Sequence, residues 1–130
     1  MAKKPVWKIG LKMVRANKDG TYESPGWGHA VAGLKYTPGR KVVANGLSRD
    51  RTISCGQGIN LSDGMKWIES EHKRKINSSG YAILFVKYDA NKAVIPYGGK
   101  GKFRVREGYV LKEKPLIVPA KYRVSRYPRV

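Results

Sequence analysis

Between Trp7 and Met13 the chain alternates. Trp7, Ile9, Leu11 and Met13 are apolar, and Lys8, Gly10 and Lys12 separate them. Period two predicts a half-buried strand with the apolar set inward and a cationic outer face. Asn17-Lys18-Asp19-Gly20 reads as a turn, and the Gly- and Pro-containing stretch 23–28 as a loop. A short strand is expected over His29–Tyr36, closed by Thr37-Pro38-Gly39. Val42-Val43-Ala44 and Arg51–Cys55 read as two more strands, with an Asn45-Gly46 turn between them.

The pattern then changes period. Met65, Ile68, His72 and Ile76 fall three or four apart with Trp67 beside them, which predicts one main helix over about 62–76. Ser62 or Asn60 would cap it, and Asp63 suits the positive end of its dipole. Lys73-Arg74-Lys75 suits the other end, and Asn77-Ser78-Ser79-Gly80 stops it. Tyr81–Tyr88 is a continuous apolar run of the kind found in a central strand. Lys92–Tyr97 follows, then a Gly98-Gly99-Lys100-Gly101 turn. Lys102–Leu111 alternates again, with Phe103 and Val105 on one side and Arg104 and Arg106 on the other. The fold class expected is α+β: a mostly antiparallel twisted sheet with one main helix, a compact domain over 1–112, and an extended basic tail over 113–130.

Charge changes this picture more than composition does. The chain of 130 residues holds 27 Lys and Arg against 9 Asp and Glu, a net charge of +18. Small soluble domains usually carry a net charge of magnitude about 2–8. The excess is polar along the sequence: +8 in residues 1–60, +2 in 61–99 and +8 in 100–130. Self-repulsion on that scale opposes compaction, and a polyanion relieves it by neutralisation and counterion release. Nucleic acid, DNA or RNA, is the first partner expected; anionic membrane, acidic protein and heparin-like polymer stand behind it. No apolar stretch approaches the roughly 20 residues of a membrane span. No secretory h-region follows the basic start Met1-Ala2-Lys3-Lys4-Pro5. The single cysteine, Cys55, rules out an internal disulfide and fits a cytoplasmic setting. With only His29 and His72 beside it there are too few ligands for a zinc finger, and no metal or other cofactor is expected.

Two segments stand out as candidate binding elements. Lys100, Lys102, Arg104 and Arg106 recur at every second residue. On a strand they would share one face at a spacing of roughly 6.6–6.8 Å, close to that of phosphates along one nucleic-acid strand. The tail interleaves cations and aromatics: Lys121, Tyr122, Arg123, Arg126, Tyr127 and Arg129. Arginine pairs with phosphate and stacks on bases, and tyrosine offers a stacking face. The alternatives are an edge strand protected by charge and a tail packed on its own domain. Catalytic candidates are poorer. His29 has no local partner, His72 falls on the apolar helix face, nothing beside Cys55 lowers its pKa, and Glu69 and Glu71 point apart on a helix.

The order Tyr36-x-Pro-Gly39, Cys55-x-x-Gly58-Ile59, helix, Ala82-Ile83-Leu84-Phe85-Val86, then Lys102-Phe103-Arg104-Val105 resembles an uncharacterised family of small domains. That family is common in tailed phages and is found beside pentapeptide repeats. The resemblance spans about residues 11–110 and implies one compact domain of viral origin. Asn60 stands where the family usually has histidine, so chemistry carried by that histidine does not transfer.

The function expected is that of a non-enzymatic nucleic-acid-associated protein, viral or part of a ribonucleoprotein or virion assembly. It would bind phosphate backbones through the basic strand and tail. A small metal-independent ribonuclease or transferase is the alternative from another class. A basic protein that inhibits an acidic host factor is the third.

Overall fold

The computed structural model describes residues 4–23, 34–54, 56–64, 66, 81–99, 101–112 and 116–117. Strand β1 (Trp7–Ala16) is long enough to take three partners. It pairs antiparallel with β2 (Tyr22–Glu23), with β5 (Ile59–Ser62) and along its length with β6 (Tyr81–Asp89). β2 pairs in turn with β3 (Lys35–Tyr36). On its other edge β6 meets β8 (Glu107–Val110) and β9 (Leu116–Ile117), and β8 carries β4 (Lys41–Val43). β5 pairs with β7 (Lys102–Val105), which runs directly into β8. Strands β1, β6, β8, β7 and β5 therefore follow one another around a near-closed barrel.

This overturns the α+β expectation. Among the described residues the protein is nearly all sheet, 47% strand against 5% helix, and no helix reaches seven residues. A 3₁₀ turn at Ala90–Lys92, capped by the Asp89 carboxylate, follows β6. Ser62, the expected helix cap, belongs to β5, and the Asp63 N–H donates to the Gly101 carbonyl at 2.8 Å. Pairing of Ile59–Ser62 with β7 thus takes the residues that were to begin the helix. Its remainder, 65 and 67–76, lies outside the described residues, as do His29, His72 and Cys55. Among the described residues no helix is long and apolar enough to cross a membrane. Beyond the expected domain boundary at 112, the chain rejoins the sheet at Leu116–Ile117.

The barrel interior is filled from even positions of β1 and β6. Val14 faces Ala82, Lys12 faces Leu84, and Gly10 faces Val86; residues directly opposite on an antiparallel ladder share a face. Val14, Ala82, Leu84, Val86 and Tyr88 join Tyr36, Leu61, Phe103, Val105 and Val110 in one core. The alternation in β1 thus has the opposite sense to the one expected. Lys12 points inward, where its Nζ donates to the Asn60 carbonyl at 3.0 Å and lies 5.7 Å from the Tyr36 ring centroid. Gly10 is small because Phe103 and Leu61 reach to 3.1 and 3.2 Å of where a Cβ would stand. Trp7, Ile9, Leu11 and Met13 occupy the outer face. Leu11 and Met13 are buried there, but Trp7 and Ile9 are exposed.

Candidate nucleic-acid interface

The sequence places Lys100, Lys102, Arg104 and Arg106 on one solvent face; of the three that lie among the described residues, the fold keeps only Arg106 exposed. Phe103 and Val105 do enter the core, so Lys102 and Arg104 point out of the barrel as the alternation requires. They are nevertheless 1% and 0% exposed. The segment 48–54, which includes the described part, 51–54, of the expected strand Arg51–Cys55, forms no strand; it turns at 51–54 and folds over them. Its carbonyls supply their partners. Arg104 donates from Nε to Ser48 at 2.8 Å and from its two terminal nitrogens to Ile53 at 2.9 Å and Asp50 at 2.6 Å. Lys102 Nζ donates to the Ser54 carbonyl at 2.5 Å. Gly56 allows this closure, since a Cβ there would meet the guanidinium carbon at 3.0 Å. The Asp50 carboxylate braces the loop by accepting from the hydroxyl and N–H of Thr52. Those bonds, the hydroxyl's first, hold its carboxyl below the ordinary range, and the charge of Arg104 adds least. Lys102 and Arg104 are structural anchors, unavailable to a phosphate backbone.

Arg106 differs because the chain bends there. β7 pairs with β5 and β8 with β4 and β6, so one residue between them absorbs the change of partner. The inward parity flips across it, from Phe103 and Val105 to Gly108 and Val110. Arg106 is exposed, and Tyr109 is carried to the outside.

The register then builds an outer row across four strands. Lys41 faces Tyr109, Tyr109 faces Lys87, and Lys87 faces Ile9. Trp7 lies two residues along β1 on the same side. The Trp7 and Tyr109 rings meet edge to face, centroids 6.1 Å apart and planes at 76°. They are still 49% and 40% exposed. Lys87 Nζ sits 5.0 Å from the Trp7 ring and Lys41 Nζ 5.8 Å from that of Tyr109. Beside the aromatic pair opens a cleft of about 670 Å³ whose walls include Arg49, Lys92 and Arg106. A shallower depression on the other side of the same rings adds Lys112. Six cations therefore border two exposed rings, with Asp89 and Glu107 as the acids of the cleft. Glu107 meets Lys41 at 3.2 Å in an exposed ion pair.

Aromatic faces set among cations are the elements that hold single-stranded nucleic acid: rings stack on bases and cations follow the backbone. Of the residues singled out in the sequence, Arg106 lies on this face and Lys102 and Arg104 do not. Lys100 and the tail residues Lys121, Tyr122, Arg123, Arg126, Tyr127 and Arg129 lie outside the described residues. The sequence reading missed Trp7, Tyr109, Lys41 and Lys87. Trp7 was assigned to the core by the β1 alternation, and the parity flip at Arg106 hides Tyr109. No family model, curated protein or solved structure matches this chain.

Proposed function

We propose that this protein is a non-enzymatic nucleic-acid-binding protein that holds single strands on the outer face of β1, β6, β8 and β4. The supporting observation is the half-exposed Trp7–Tyr109 pair bordered by six cations in a chain of net charge +18. A stacking platform favours unpaired bases, because a duplex hides its base faces. Phosphate neutralisation supplies most of the affinity and makes it salt-dependent. The resemblance to phage domains extends this reading to a ribonucleoprotein or virion setting.

The test is a titration of labelled oligouridylate and oligothymidylate followed by fluorescence anisotropy from about 50 to 200 mM salt. With Arg49, Lys87, Lys92, Arg106 and Lys112 each meeting one phosphate, log affinity falls against log salt with a slope near −3.5. Absence of binding at the low end of salt overturns the proposal, and so does affinity indifferent to salt.

A further inference from the structure

The two carboxylates in the cleft have no part in holding phosphate. Either of them repels a polyanion, so their place in the wall of a basic cleft needs a separate reason. Asp89 has one within the fold. Its Oδ1 accepts from the N–H groups of Val6 at 3.1 Å and Asn91 at 3.0 Å, capping the 3₁₀ turn and fixing the entry to β1. Glu107 has no such duty. Its side chain is 40% exposed on β8, and its Oε2 lies 3.2 Å from the Nζ of half-exposed Lys41. It stands two residues from Tyr109, on the same side of the strand, and both line the cleft with Trp7. Arg106 precedes it, and Arg49 and Lys92 complete the cationic wall. The volume, about 670 Å³, falls in the range of about 300–1,000 Å³ typical of small-ligand sites.

An exposed carboxylate beside a stacking ring accepts hydrogen bonds and offers none. Among the four bases, guanine alone presents two adjacent N–H donors on its Watson–Crick edge, N1–H and the 2-amino group, spaced for the two oxygens of one carboxylate. Uracil flanks its single N–H with two carbonyls. Adenine and cytosine place a ring acceptor beside their amino group. Each of those acceptors opposes a carboxylate. A base can be read in this way only when unpaired, which is the form that a stacking platform selects.

We propose that the cleft receives one unpaired guanine of the bound strand, with Glu107 accepting from N1–H and the 2-amino group. The base lies against the Trp7–Tyr109 pair, and Arg49, Lys92 and Arg106 take the flanking phosphates. This inference rests on the nucleic-acid reading above and adds base selectivity to it.

The experiment compares four labelled hexaribonucleotides at one salt concentration: all-uridine, and the same strand with one central guanosine, inosine or adenosine. Guanosine is expected to bind about tenfold tighter than adenosine. Inosine, which keeps N1–H and loses the 2-amino group, falls between them. Glu107→Gln, checked for an unchanged melting temperature, brings guanosine and adenosine within about twofold of each other. Equal affinity of the wild type for all four strands overturns guanine selection while leaving the binding face standing. A preference for guanosine that survives Glu107→Gln also overturns it. Binding of none of them, all-uridine included, removes the underlying reading instead.

Discussion

Replacing Arg104 with alanine should destabilise the protein by about 3–5 kcal/mol and lower its melting temperature by roughly 10–20 °C. The guanidinium is completely buried and holds three backbone carbonyls of the 48–54 loop. Alanine removes three charge-assisted bonds and leaves Ser48, Asp50 and Ile53 with carbonyls that lose their partner. Lysine at 104 keeps the charge but cannot span three acceptors with the same planar fork, so it should recover only part of the loss. Arg106→Glu, two residues on, should leave the melting temperature nearly unchanged, because that side chain is exposed. It should weaken nucleic-acid binding instead. Thermal denaturation of the three variants checks the assignment. Equal melting temperatures for wild type and Arg104→Ala would show that the loop is not held by this residue.

The second large effect falls on binding. Trp7→Ala combined with Tyr109→Ala should lower affinity for oligouridylate by roughly 30-fold or more, since base–aromatic stacking contributes about 1–3 kcal/mol per base and two rings are lost. Both rings are about half exposed, so the fold should lose little. The loss should persist at high salt, where phosphate contacts are weakened and stacking is not. Lys87→Gln should do the opposite, giving a loss that is large at low salt and shrinks as salt rises. Anisotropy titrations across salt separate the two contributions.

Much of the sheet was legible from residue pattern. The apolar run 81–88 is β6, which pairs with β1 along its whole length. Tyr36, Val42 and Ala44 lie in the core near where short strands were expected. What failed has identifiable causes. Period two fixes which residues share a face but not which face is the barrel interior. In β1 the usual signal is inverted, because Gly10 makes room for Phe103 and Lys12 finds a carbonyl inside. The same rule placed Arg104 correctly outside the barrel and gave no sign that a loop would cover it. That loop lacks the regular period by which a sequence announces an element, and its contribution is carbonyl oxygens, which every residue possesses. Helical spacing at 62–76 was overridden at its start by strand pairing with β7, a contact some forty residues away in sequence. The candidate face was hidden for a related reason. Lys41, Lys87, Trp7 and Tyr109 are far apart in the chain and become neighbours only through register.

The net charge read from composition still directs attention to a polyanion, yet charge by itself cannot locate the contact. Three cations expected to face solvent are buried: Lys12 inside the barrel, and Lys102 and Arg104 beneath the 48–54 loop. Cations that border exposed aromatic rings are better candidates than cations in a regular series, because the rings give a base somewhere to rest.

The most direct measurement is a backbone amide chemical-shift titration with a short single-stranded oligouridylate containing one guanosine. The expected perturbations are concentrated at Trp7–Ile9, Lys41, Arg49, Lys87 and Arg106–Lys112, and the 51–54 amides next to buried Arg104 move little. Saturable shifts confined to other surfaces, with these residues unmoved, would contradict the assignment of the binding face.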